Sequence, residues 1–288
     1  MNLKNRKKPS KAVFNYNEAK REKLFKDVFA GIVSPIELPN DLYLALFEKF
    51  ESGLYEGFGK SLMDIKFGTP DYELLSELRE NISRFSSAKT FQQVREMTDA
   101  VTEGDKIVSF KEFKDSAVEI FNRYNGDMDD PLAHPGWLEA EYQNTIGQAQ
   151  AAEKWNDIYK QKHILPMVRR IVTEDELTCE ICGPLDGFTA PADDPIWNEI
   201  GGPAHFRCRC IDEQNSDEVA ASSEERYLET ETHIKEKVPE DFRFNPAKER
   251  VIFQDKGSGK HEYFTVPKEY KEFAKENFGM PVPPVSED

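Results

Sequence analysis

The chain predicts an α+β fold, mostly helical: a helical N-terminal region, then a small α+β module centred on a zinc knuckle, then a C-terminal hairpin plus helix. Three observations lead there. Apolar residues recur at helical spacing through the first 125 residues. All four cysteines fall within the 32 positions from Cys179 to Cys210. Two β-prone runs flank the turn DKGSG at residues 255–259. The segments that follow are a disordered basic arm (1–17), a helical domain (18–125), a cysteine-bearing core (126–215), and an acidic linker with hairpin and final helix (216–288).

In chain order, residues 18–32 place Leu24, Phe25, Val28, Phe29 and Ile32 on one helical face, and Pro35 and Pro39 end that helix. Asn40 or Asp41 then caps a helix striped by Leu42, Leu46, Phe50 and Leu54. Pro70 starts a helix over residues 71–81, and a separate one begins at Phe85, with Thr90 available as a cap. Lys111–Tyr124 is a further helix, apolar at Phe113, Val118 and Phe121. Such stripes are core far more often than grooves. Residues 125–136 read as a loop. Asp127, Asp129 and Asp130 there resemble half a calcium loop, but the glycine and distant glutamate of an EF-hand are missing, so a turn is the better reading. His134, in the same loop, has no partner nearby in sequence.

A long helix, Trp137–His163, carries Tyr142, Ile146, Ala149, Ala152 and Tyr159 near one face, and its alanines allow another backbone to come close. Glu141 on it suits either an interior active-site acid or an ion pair, the commoner use. Met167–Val172 is a short strand that feeds the first cysteines. Residues 212–241 hold eleven acids against three bases and read as a solvated linker helix or a partly flexible stretch. Residues 249–254 and 261–266 form the hairpin, 267–280 the closing helix, and the proline-rich end from 281 is loose. No phosphate-binding glycine loop and no nucleophile elbow are present.

The cysteines carry the chemistry. Cys179 and Cys182 form C-x-x-C; after 22 intervening residues, His205, Cys208 and Cys210 form H-x-x-C-x-C. Two thiols on one tight turn point the same way, and two such turns close a tetrahedral zinc site. A reduced cluster packed without metal and a disulfide are the competing readings. His205 pairs more readily with Cys208 than with Cys210, because i and i+2 on an extended strand face opposite ways, which leaves Cys210 as the alternate ligand. A catalytic zinc would need a general base, for which Asp186, Asp193 and Asp194 are the candidates.

Charge bounds the partners. The net charge is −16, yet residues 1–26 carry +7 and the remainder −23. A basic arm on an acidic body can touch phosphate or an acidic protein face, while the body itself is a poor DNA wrapper. No apolar run is long enough to span a membrane, and no apolar stretch of signal-peptide type follows the basic N-terminus. Clustered cysteines fit a reducing compartment.

Three segments carry a family resemblance. DELTCEICGPLDG followed by DDPIWNEIGGPAHFRCRC, the upstream helix from Trp137 to Trp155 with its Glu141-Tyr142 pair, and Phe242–Phe253 with its asparagine–proline step resemble the phage Mu F-like head-morphogenesis proteins, also called minor head or minor capsid proteins. The match covers about 120 residues, and the first 125 residues fit much more loosely. Many members carry Arg and His where this chain has Cys179 and Cys182, so the expected metal rests on this chain's own residues. The resemblance implies a non-enzymatic virion component inside the capsid or at the portal, with portal or capsid proteins as partners. It also implies a stay in the host cytoplasm during assembly, and the basic arm is free to contact packaged DNA. A zinc-dependent nuclease or toxin-like enzyme and a zinc-stabilised cytosolic adaptor are the rival readings.

Overall fold

The computed structural model describes residues 14–126 and 136–285. The calcium-like aspartates Asp127, Asp129 and Asp130, and His134, lie outside the described residues, as does most of the basic arm. The fold is α+β and mostly helical.

Five helices form the body. Asn17 caps α1 (Glu18–Phe29) by accepting from the Lys20 N–H, and α2 (Asn40–Phe58) ends at Gly59 in the left-handed conformation. α3 runs unbroken from Pro70 to Asp99, where two helices were expected. Thr90 does not cap; its hydroxyl bonds back to the Ser86 carbonyl in mid-helix, 2.8 Å. Continuous burial of Leu78, Ile82, Phe85, Ala88 and Phe91 overrides the weak local preference of the serines between them. After a two-residue-stranded hairpin, β1 (Thr102–Glu103) with β2 (Lys106–Ile107), a Ser109–Glu112 capping box opens α4 (Phe110–Asn125).

α5 (Gly136–Gln161) packs closely against α2. A Cβ at Gly57 would come within 2.3 Å of the Ile146 carbonyl oxygen and 2.7 Å of Ala149 Cβ, so glycine facing alanine sets this crossing. The arm corrects the expectation at its end: Tyr16 is in the core, 5.8 Å from the Phe121 ring.

The second half of α5 enters a smaller core. There β3 (Met167–Ile171) lies between β4 (Thr189–Pro191) and β5 (Ile211–Asn215), all antiparallel, with Met167 opposite Pro191 and Ile171 opposite Ile211. Trp155 and Ile158 from α5 meet Val168, Leu185 and Phe188, and Trp197 of the one-turn α6 (Trp197–Ile200) completes the layer. The acidic stretch contains α7 (Glu224–Lys237), which buries Thr230 and Ile234 and keeps its acids outside. Among the described residues no helix is long and apolar enough to cross a membrane.

The C-terminal hairpin is not formed. Residues 251–266 make no strand; they lie against α3 as turns and a single 3-10 turn at Glu262–Phe264. Asn81 of α3 replaces the ladder. Its side chain accepts from the N–H groups of Ile252 and Phe253, 2.9 Å each, and donates to the Phe253 carbonyl, 2.9 Å. Phe253 stacks on Phe85 with centroids 3.5 Å apart. The closing helix shrinks to α8 (Lys271–Lys275) between 3-10 turns. The expected loose end is docked as far as it is described: Tyr43 donates to the Pro281 carbonyl, 2.8 Å, and Arg79 to that of Pro284, 2.9 Å.

Asn81→Ala should therefore lower the unfolding free energy by about 3 kcal/mol, because it strands two buried N–H groups and one carbonyl. Urea denaturation reads this directly. A loss below about 0.5 kcal/mol would show that the segment is held by its aromatic rings alone.

Candidate metal centre

The first turn is set by backbone. The Gly183 N–H bonds to the Cys179 carbonyl, 3.0 Å, and the Leu185 N–H to that of Cys182, 2.9 Å, which places both sulfurs on one side. Asp186, at its end, accepts from the Val172 N–H, 2.8 Å, and ties the turn to the strand before it. From α7, His233 donates to the Ile181 carbonyl, 2.9 Å, and holds the middle of the turn. The second turn runs from His205 to Cys210. Arg207 takes a left-handed φ of 62° and the Cys208 N–H bonds to the His205 carbonyl, 3.1 Å, so the segment is coiled rather than extended.

That coil overturns the expectation that Cys208 and Cys210 face opposite ways. Both lie with Cys182 in one group whose sulfurs are within 4.8 Å of one another. Cys179, Cys182 and His205 form a second group of the same tightness, so the five donors make two triplets that share Cys182. His205 Nε2 is 3.2 Å from Cys179 Sγ and 3.0 Å from Cys182 Sγ; Cys182 Sγ is 3.6 Å from Cys208 Sγ. Around a tetrahedral zinc two thiolates stand about 3.8 Å apart, so the sulfur pair already has the required edge. His205 Nδ1 lies 2.7 Å from the Phe206 carbonyl; donating there leaves Nε2 with a free lone pair toward the sulfurs. All four cysteines are free, so the disulfide reading fails in this state.

The thiols compete for protons. Hydrogen bonds from Cys182 and Cys210 pull Cys208 far below the usual thiol range, while Cys182, the donor to it, is pushed up. Cys210 is pushed up to about 12 by Cys208 and burial, against the pull of Cys182 and Arg170. Thiols this close cannot all ionise side by side without a cation to offset their charge. The Cys/His set can hold a metal ion.

Arg170 and Asp212 fix the second turn from below. Arg170 is 1% exposed and bonds to Asp212 through Nε, 2.7 Å, and NH2, 2.9 Å. It also donates to the carbonyls of Ile200 and Gly202, 3.2 Å for Gly202, which lead into His205. Asp212 takes a further bond from Trp155 Nε1, 2.9 Å. Sequence reading missed this pair, since two arginines in a short strand look ordinary. On the surface Arg209 pairs with Asp175 through two bonds of 2.6 Å, bridging the loops and holding the Asp175 carboxyl down to about 2.

The candidate catalytic acids are occupied elsewhere. Asp193 pairs with Lys162, 2.7 Å. Asp194 caps the turn before α6, accepting from the Ile196 N–H, 2.9 Å, and from the Tyr227 hydroxyl, 2.7 Å. Glu141, 2% exposed, pairs with the fully buried Lys89, 2.6 Å, and accepts from the Tyr263 hydroxyl, 2.8 Å. It lies in the body, away from the cysteines.

No family model matches the chain, and neither a curated protein nor a solved structure matches it significantly.

Asp212→Asn should cost about 3–5 kcal/mol, because it leaves the Arg170 charge buried without a counter-charge. Arg170→Met combined with Asp212→Asn should be no worse than the single Asp212→Asn change. Additive losses in a double-mutant cycle would show that the two groups act separately.

Proposed function

We propose that this chain is a minor head protein of a tailed phage or prophage, with a structural role near the portal, and that its Cys/His cluster holds zinc. The donor chemistry supports the metal. Thiolates with one imidazole in tetrahedral spacing are the set that zinc takes in closed, structural sites. Cys179, Cys182 and His205 would supply three ligands and the Cys208/Cys210 pair the fourth. Zinc there would cross-link two turns of a module whose own core is small.

The observation that carries the structural reading is the occupation of the four carboxylates singled out as candidate bases. Asp186, Asp193, Asp194 and Glu141 are each committed to a backbone bond, a cap or an ion pair. The segments behind the resemblance to Mu F-like proteins also interlock. A Cβ at Gly202 would meet Gln148 Oε1 of α5 at 2.6 Å and Pro246 Cδ of the asparagine–proline step at 3.3 Å. Asn245 bonds to the Trp197 carbonyl, 3.2 Å, and so joins that step to the DDPIW segment. Such a unit acts as a rigid fitting for portal or capsid proteins, in the virion and, before that, in the host cytoplasm, and the basic arm is available to packaged DNA.

Two measurements test the proposal. Purified chain should contain about one zinc, and chelator or Cys182→Ser should lower its stability by several kcal/mol, since Cys182 belongs to both triplets. Unchanged melting of metal-free protein in chelator would refute the zinc assignment. In phage-producing cells the chain should co-purify with heads in few copies per particle. Alanine at Asp186, Asp193 or Asp194, and Glu141→Gln, should leave incorporation intact at a stability cost of about 1 kcal/mol for each surface acid. A nucleic-acid cleavage activity that one of these changes abolishes, with incorporation retained, would favour the nuclease instead.

A further inference from the structure

Away from the cysteines, a cavity of about 450 Å³ lies between the start of α5, the turn after His205 and the C-terminal segment. Trp137, Phe206 and Tyr263 give it aromatic walls; Glu141, Asp241 and His261 are among its polar groups. The rings already attract cations from within the protein. The ammonium of Lys89 is 5.3 Å from the Tyr263 ring centroid, and the guanidinium of Arg123 is 5.7 Å from that of Trp137. Both are matched, Lys89 by Glu141 and Arg123 by Glu96.

Asp241 is not matched. It is half-buried, and no described cation lies within ion-pair distance of it. Burial, and then the nearby charge of Glu262, push its carboxyl above the ordinary range. Of the other groups, one is a cation and one is neutral. Lys260 is turned toward the Phe264 carbonyl, 3.5 Å. His261 accepts from the Tyr263 N–H at Nδ1, 3.3 Å, and burial, with the Lys89 charge behind it, pushes its pKa down to about 3, so it is neutral. The lining thus sets two carboxylates, Asp241 at its side and the exposed Glu262 at its rim, against the single ammonium of Lys260, beside three aromatic rings.

We propose that this cavity receives an organic cation, the guanidinium or ammonium group of a basic side chain on a partner protein or of a free polyamine, with the rings enclosing its alkyl stem and Asp241 and Glu262 meeting its charge. Enclosure by aromatic faces desolvates the cation, and a carboxylate already half out of water gains from the pairing. The cavity is separate from the cysteine cluster, so its test is independent of the zinc assignment.

Tryptophan fluorescence reports on it, because Trp137 is 40% exposed at the cavity while Trp155 and Trp197 are fully buried. Titration of the full chain with N-acetyl-arginine amide and, separately, with spermidine should give a saturable change at concentrations on the order of 0.1–10 mM, with none from N-acetyl-glutamine amide. Asp241→Asn should weaken binding by about fivefold or more without loss of melting temperature, and Glu262→Gln, at an exposed position, should weaken it less. Tighter binding of spermidine would identify a free polyamine as the ligand; tighter binding of the arginine amide would identify a partner's side chain. No saturable response to either cation, or equal affinity in wild type and both variants, would overturn the proposal.

Discussion

The buried pair between Arg170 and Asp212 is the constraint on which the cysteine module depends. One guanidinium joins β3 to β5 and, through the carbonyls of Ile200 and Gly202, to the loop that delivers His205. Its partner carboxylate joins the same sheet to Trp155 of α5. A charge so far from water is tolerated only when each of its donors is used, and a pair of this kind contributes definition more than stability. The definition matters here because the metal donors sit on irregular turns with little regular structure of their own. Without Arg170 the second turn would lose its tie to the sheet beneath it.

α5 carries that order into the rest of the molecule. Its first half packs on α2 within the body, and its second half supplies Trp155 and Ile158 to the smaller core. The C-terminal segment then crosses back and is clamped by Asn81, Gln92 and Tyr43 on the helical body. The chain thus leaves the body along a helix and returns to it along a strap, so the cysteine-bearing turns are anchored at both ends.

Much of this was legible in the residues, and the failures have physical causes. The helices of the body show in their stripes because apolar spacing is a local signal. The C-x-x-C and H-x-x-C-x-C spacings picked out the five side chains that cluster, for the same reason. The expectation that Cys208 and Cys210 face opposite ways assumed extended backbone; the left-handed Arg207 curls the segment and brings both sulfurs near Cys182. The hairpin at 251–266 failed for a tertiary reason. Its β-prone residues spend their backbone groups on side chains of α3, and nothing in the local pattern announces Asn81 as the acceptor. Arg170 and Asp212 stand 42 positions apart, and a pairing at that distance leaves no trace in a single sequence.

The coordination shell of the metal is the most direct test of the central claim. X-ray absorption at the zinc edge, on chain purified without added metal, reads the number and kind of ligands at once. A closed structural centre requires three sulfurs at about 2.3 Å and one imidazole nitrogen at about 2.0–2.1 Å, with no oxygen in the shell. A shell in which water or carboxylate oxygen takes a position would contradict it, since an open position is the mark of a catalytic zinc.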